Sequence, residues 1–138
     1  MDRLFLDANV LFSAAYRPDS GLARLWKLSG VELVTSEYAS EEARVNLPDD
    51  AQRRRLEKLL ETVQVVATVS MTALPRQVDL PEKDRPILLA AVEARATRLL
   101  TGDKEHFGAY FGKVIAGVHI LPPGEYLRAR GKTKGGKR

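Results

Sequence analysis

The chain has 138 residues, 44% of them hydrophobic and 29% charged, and it has no cysteine. That composition fits one globular domain whose core needs no covalent staple, and it excludes disulfide frameworks, thiolate metal sites and cysteine nucleophiles. The formal charge of +4 is unevenly placed: Arg128, Arg130, Lys132, Lys134, Lys137 and Arg138 follow residue 127 with no acid among them, leaving the body at about −2. The opening Met1-Asp2-Arg3-Leu4-Phe5-Leu6-Asp7 is too charged for a signal-peptide core, and no apolar run nears membrane length. A cytoplasmic protein with no membrane partner is expected.

Residues 3–7 read as a strand, 9–15 as a loop or short helix, and Tyr16-Arg17-Pro18-Asp19-Ser20-Gly21 as a turn. Asp19 or Ser20 is placed to cap a helix carrying Leu22, Leu25, Trp26 and Ser29 on one face and ended by Gly30. Val31 to Thr35 reads as the second strand. Ser36 is placed to cap a helix that runs to Asn46 and stops near Pro48. Asp49 or Asp50 starts another, with Leu56, Leu59, Leu60 and Val63 as its apolar stripe. The β-branched stretch Val63 to Val69 predicts a strand, and Met71 to Pro81 a loop.

Asp84 to Ala96 predicts a helix with Ile87, Leu88, Ala91 and Val92 inward and Pro86 in its first turn. Arg98 to Thr101 predicts a strand and Asp103 to Tyr110 a short helix. Val114-Ile115 with Val118-His119-Ile120-Leu121 offers a last strand, after which Pro122-Pro123-Gly124-Glu125 opens a terminal helix. The alternation predicts an α/β three-layer sandwich over residues 1–128, built on a mostly parallel sheet of four to five strands. Residues 129–138 read as a basic, disordered tail, able to hold nucleic acid by its phosphates or simply to keep the chain soluble.

Two of the apolar runs end in aspartate: Leu4-Phe5-Leu6 runs into Asp7, and Leu99-Leu100-Thr101-Gly102 into Asp103. In open α/β sheets ligands bind beyond the carboxyl ends of the strands, so two carboxylates remote in sequence can meet in one site. Asp7 precedes the small or polar Ala8-Asn9, and its rival role is to cap the next helix. Asp103 follows Gly102, which is read as permitting a tight turn, and it has the same rival role. Asp84 has Ile87 and Leu88 three and four positions on, which turns it toward the core side of its helix, and its rival role is a plain N-cap.

Of Glu37, Glu41 and Glu42, periodicity favours Glu42, because Glu41 has the more polar helical neighbours Glu37 and Arg44. Asn9, Thr101 and Glu105 are auxiliary candidates, with Glu105 equally readable as a solvated first-turn acid. His106 reads as a surface histidine, with contact to a phosphate as the alternative, and His119 as a structural one. Arg53-Arg54-Arg55 reads as a solvated helix face, with RNA contact as the alternative, and Trp26 as core. The chain offers no plausible Ser-His-Asp spacing and no phosphate-cradling glycine loop.

The order of these features resembles the PIN domain (PilT N-terminus) ribonuclease family. The residues that carry the resemblance are Leu4 to Leu11, Ser36 with Glu42, Asp84 with Ile87-Leu88-Leu89-Ala90-Ala91, Leu100 to Phe107, and the closing Ile120 to Leu127. The resemblance implies a Rossmann-like sheet and Mg²⁺ or Mn²⁺ bound by acids at Asp7, Glu42, Asp84 and Asp103. It implies an endoribonuclease of the kind found as the toxin of VapBC-type toxin-antitoxin pairs, with an RNA substrate, a cognate antitoxin and a homodimeric state. Two matches depart from the pattern: the family often has a further aspartate where this chain offers Glu105, and the glutamate register can slip to Glu41.

The chemistry of the residues agrees with that implication. Hard oxygen donors without cysteine select Mg²⁺ or Mn²⁺ over zinc. Carboxylates about 4 Å apart repel by roughly 1–4 kcal/mol, so a cluster of them raises its own pKa values or recruits a cation. In this reading Asp7 and Asp103 make the first metal contacts, while Asp84 and Glu42 hold a second ion or position water. One rival is a degenerate PIN-like module that binds RNA or protein without cutting. Another is a phosphatase with Asp7 as nucleophile, which the haloacid-dehalogenase pattern disfavours because Asn9 stands where that pattern has a second aspartate.

Overall fold

Leu4, Phe5 and Leu6 are fully buried although successive strand residues point to opposite faces, so strand β1 (Asp2–Leu6) is covered on both sides. The computed structural model describes residues 1–67 and 78–135. In it β1 lies inside a sheet with β2 (Val31–Ser36), β3 (Gln64–Val66), β4 (Arg98–Leu100), β5 (Val114–Ile115) and β6 (Val118–Leu121). The order is β3-β2-β1-β4-β6-β5, parallel throughout except for the β5–β6 pair. The helices are α1 (Ala8–Tyr16), α2 (Glu37–Asn46), α3 (Asp50–Leu60), α4 (Arg85–Glu93), α5 (Lys104–Phe107) and α6 (Pro123–Gly135). Among the described residues no helix is long and apolar enough to cross a membrane.

The expected α/β architecture is therefore present, with six strands where four to five were expected. The extra strand comes from the last apolar stretch, which folds into a hairpin. Its two-residue turn, Ala116-Gly117, has φ of 50° and 87°, the left-handed pair that matches strand twist. Ala116 carries none of the usual turn chemistry for that conformation, which is why the stretch reads as one strand in sequence.

Most helix starts follow their side chains. Ser36 Oγ accepts the Ala39 N–H at 3.1 Å. Asp49 and Gln52 form a reciprocal capping box at the start of α3, with bonds of 2.9 and 3.2 Å. The stretch with Leu22, Leu25 and Trp26 is a 3-10 helix (Gly21–Lys27), and Trp26 is half-buried with its Nε1 donating to Leu59 O at 2.9 Å. Of the arginine run, Arg53 pairs with Asp50, and Arg55 donates to Ala15 O at 2.9 Å, tying α3 to the end of α1. Arg55 is thus a structural donor rather than part of a solvated face.

Parts of three expected elements, residues 68–69 of a strand, 71–77 of a loop and 136–138 of the tail, lie outside the described residues. Helix α6 runs to Gly135, past residue 128 where the domain was expected to end. Tyr126, buried on this helix, donates its hydroxyl to Asp2 Oδ2 at 2.7 Å and accepts from Arg130 at 3.1 Å. Arg130 also donates to Ser29 O at 2.8 Å, so this tail cation fastens the helix to the body. Burial alone would raise the Asp2 carboxyl, but the Tyr126 hydroxyl, Arg98, Thr97 and the N-terminal amine together hold it below its ordinary value.

Replacing Tyr126 by Phe is expected to lower unfolding free energy by about 1–2 kcal/mol at pH 7 in urea titrations. A depressed carboxylate stabilises the native state above its unfolded pKa and loses that contribution as it is protonated. The gap between wild type and variant therefore narrows as pH falls below about 4.

Candidate metal centre

The register of the parallel β1–β4 pair aligns Leu6 with Leu100, which sets the next residues, Asp7 and Thr101, side by side where both strands end. β1 connects toward β2 on one side of the sheet while β4 flanks its other side, so this is a topological switch point. Asp7 is 5% exposed. Its Oδ1 accepts the Ala8 N–H at 2.6 Å, which makes it the cap of α1. Its Oδ2 accepts the Thr101 hydroxyl at 2.8 Å and the Asn9 amide at 3.2 Å. The capping role and the site role thus belong to the same carboxylate.

Thr101 and Asn9, two of the auxiliary candidates, are the brackets of that carboxylate. Thr101 Oγ1 also accepts the Asp103 N–H at 3.1 Å, while Asn9 Oδ1 accepts the Gly102 N–H at 2.8 Å. Gly102 is not among the residues with positive φ, so its contribution is this N–H rather than a left-handed turn.

A cleft of about 350 Å³ at the strand ends is lined by Asp7, Asn9, Glu42, Lys83, Asp84 and Asp103, with Ala8, Phe12, Ala43 and Asn46. All four expected acids therefore meet. Glu42 reaches the cleft from α2 as an exposed side chain at its rim. Glu41 does not line it and is paired with Arg44 at 2.6 Å. Glu105 is exposed on α5 and does not line the cleft either. A wider groove of about 870 Å³ adjoins it, sharing Glu42 and Lys83 and adding Glu37, Glu41, Glu57 and the exposed Val45 and Val65.

Asp84 sits at the N-cap position of α4 without making a side-chain cap bond, and it is 9% exposed. Its Oδ2 is buried and has no hydrogen bond. His106 Nδ1 stands 2.9 Å from it and equally 2.9 Å from Asp103 Oδ2. One ring nitrogen carries at most one proton, and the hydrogen bond is made to Asp103. His106 is thus half-buried between two carboxylates, not a surface residue. The ligand atoms of Asp84, Asp103 and His106 all lie within 4.8 Å of one another. Nothing in the sequence window around His106 signals this, apart from its spacing of three from Asp103, which puts both side chains on one turn.

Electrostatics follow from this crowding. Burial pushes the Asp7 carboxyl up to about 6; the Thr101 hydroxyl and Ala8 N–H oppose the rise, and the Glu42 and Asp84 charges add to it. Burial also raises Asp84, with His106 opposing and Asp103 reinforcing. Tyr38, which donates to Lys83 O at 2.7 Å, has its phenol raised by burial and by the charges of Glu42, Asp84 and Asp7. A divalent cation fits this donor set: clustered oxygens, one imidazole nitrogen, and a buried carboxylate oxygen that makes no hydrogen bond.

The PIN-domain family profile matches residues 3–105, most of the chain and all of its acidic motifs. The chain belongs to the PIN-domain family. The crystal structure of VapBC2 from Rickettsia felis, bound to a DNA fragment from their promoter, contains a chain that superposes with a TM-score of 0.63 at 16% identity. The match covers 87% of this PIN domain and 98% of that chain. At that identity the likeness concerns the fold, and it agrees with the architecture above. No curated protein sequence matches.

Because folding raises the Asp7 pKa, the native state binds that proton more tightly than the unfolded chain does. The penalty for its charge is fully present above about 6 and is relieved as pH falls toward 3.8. In EDTA, Asp7→Asn is expected to be as stable as wild type or more stable at pH 7. Between pH 7 and 4 the difference should move in favour of wild type by about 2–3 kcal/mol, read from paired urea titrations. A variant severely unfolded at pH 7 would instead show that capping α1 is the main role of Asp7.

Proposed function

We propose that this PIN domain is a Mg²⁺- or Mn²⁺-dependent endoribonuclease and the toxin of a toxin-antitoxin pair. The observation that carries the metal requirement is Asp84 Oδ2: a buried carboxylate oxygen with no hydrogen bond, beside a second carboxylate and within one cleft with two more. Evolution tolerates such an arrangement where a cation completes it, since unpaired buried charge is otherwise strongly destabilising.

Asp84 and Asp103 would hold the ion, with Asp7 and Glu42 at the same cleft. This shifts the leading pair from Asp7 and Asp103, because the oxygens of Asp7 are already engaged by three donors. When bound, the ion polarises a phosphodiester oxygen and favours hydroxide at neutral pH. The protein's own part is positional. Thr101, Asn9 and the Ala8 N–H keep the Asp7 carboxylate aimed at the cleft. Lys83 on the rim supplies the ammonium that a phosphate needs in a cleft otherwise dominated by acids. Glu42, also on the rim, would order water. In-line attack with departure of the 3′-oxygen leaves a 5′-phosphate and a 3′-hydroxyl.

The toxin assignment draws on the VapBC2 fold match and on the adjoining groove. Arg44 in this groove pairs with Glu41 and Glu57, and the remaining acids Glu37 and Glu42 with exposed Val45 and Val65 favour a basic, amphipathic protein segment over RNA. A cognate antitoxin supplies such a segment, and a homodimer completes the proposed assembly.

Purified protein incubated with RNA and Mg²⁺ or Mn²⁺ is expected to yield 5′-phosphorylated fragments, with cleavage abolished by EDTA. Asp103→Asn should reduce the rate by roughly 10²-fold or more, the scale of losing a positioned catalytic group. Equal cleavage by wild type and Asp103→Asn would mark a contaminant and sink the nuclease reading. RNA binding without cleavage in either protein would establish the non-catalytic module instead.

A further inference from the structure

We propose that His106 is a metal ligand in its own right, so that the centre binds Mn²⁺ in preference to Mg²⁺ through one nitrogen and surrounding carboxylate oxygens. This rests on the metal-dependent reading above and goes further by naming a ligand that the acidic motif does not contain. His106 Nδ1 stands 2.9 Å from Asp84 Oδ2 and 2.9 Å from Asp103 Oδ2. Ligands about 2.1 Å from an ion and at right angles to each other stand about 3.0 Å apart, so both separations match adjacent corners of an octahedron.

A purely structural histidine would explain one of these contacts. His106 lies three residues after Asp103, its backbone N–H donates to Asp103 Oδ1 at 3.1 Å, and its ring reaches back to Asp103 Oδ2. The second contact is not a well-formed hydrogen bond: the Nδ1 bond is made to Asp103 Oδ2, a proton shared between two acceptors serves each poorly, and Asp84 Oδ2 lies 2.9 Å from Nδ1 without one. A cation between the three atoms removes the conflict: the nitrogen offers its lone pair, and both carboxylate oxygens gain a positive partner. The ring is already half-buried between the two carboxylates.

The nitrogen sets the metal preference. Mg²⁺ takes oxygen ligands and retains water reluctantly exchanged, whereas imidazole suits the divalent transition ions. Asp84 is the second sign of a ligand: the residue is 9% exposed, and its Oδ2, 2.9 Å from the same ring nitrogen, is buried without a hydrogen bond.

Pulsed EPR of the full chain loaded with one equivalent of Mn²⁺ should show ¹⁴N modulation. The modulation should persist in His119→Gln, which removes the other histidine, and vanish in His106→Gln. Equilibrium titration should show Mn²⁺ affinity falling roughly tenfold or more in His106→Gln, with Mg²⁺ affinity nearly unchanged. Circular dichroism checks the fold of each variant, and the wild-type spectrum decides independently of both. Mn²⁺ bound without nitrogen modulation, or modulation that survives in His106→Gln, overturns the histidine ligand and leaves the nuclease reading intact. Failure of wild type to bind Mn²⁺ at all overturns both.

Discussion

The parallel pairing of β1 with β4 is the constraint on which the molecule depends. Both strands are short runs of fully buried apolar residues, so their register is set by packing on two faces, and a slip would displace every side chain. With Leu6 opposite Leu100, Asp7 and Thr101 emerge together, and the hydroxyl of one meets the carboxylate of the other. Asn9, in the first turn of α1, then closes the bracket by accepting from Gly102 and donating to Asp7. The hydrophobic core thus fixes the geometry of a polar cluster that it could not tolerate in its interior.

The cluster itself opposes folding. Asp7 and Asp84 are raised by burial and by neighbouring charge, so part of the stability supplied by the core is spent holding carboxylates together. Stabilisation comes from elsewhere: the Tyr126–Asp2–Arg130 contacts that fasten α6, the capping box of α3, and the Arg55 and Gln52 donors to the end of α1. These lie at helix ends and at the start of β1, the end opposite Asp7, which leaves the cleft free to carry unfavourable charge. Such a separation is the usual sign of a functional site, because a chain selected for stability alone would not keep four acids on one cavity.

Much of the fold was legible in the sequence because its signals are local. Ser36 and Asp49 cap helices by their side chains, Pro48 ends one, and the Leu4–Leu6 and Leu99–Leu100 runs mark central strands. The inward orientation of Asp84 also followed from helical spacing, since Ile87 and Leu88 must face the core. Glu42 over Glu41 followed from the same periodicity, and the cleft lining agrees. Other features were not legible. The Ala116-Gly117 turn has weak local chemistry, and the cap of Arg130 on Ser29 joins residues remote in sequence. Arg55 looked solvated because its acceptors belong to another helix.

The sequence by itself determined which acids stand at strand ends and helix starts, because burial patterns and caps depend on residues within a turn or two. Only the tertiary structure decided how those acids are partnered. Asp7 has its oxygens filled by Thr101, Asn9 and Ala8; Asp84 has an oxygen with none; and His106 stands between Asp84 and Asp103. The reason is that a hydrogen-bond inventory is a property of three-dimensional neighbours. Asp84 and Asp103 approach from separate helices, and their shared contact with one imidazole exists only once the sheet has brought those helices together.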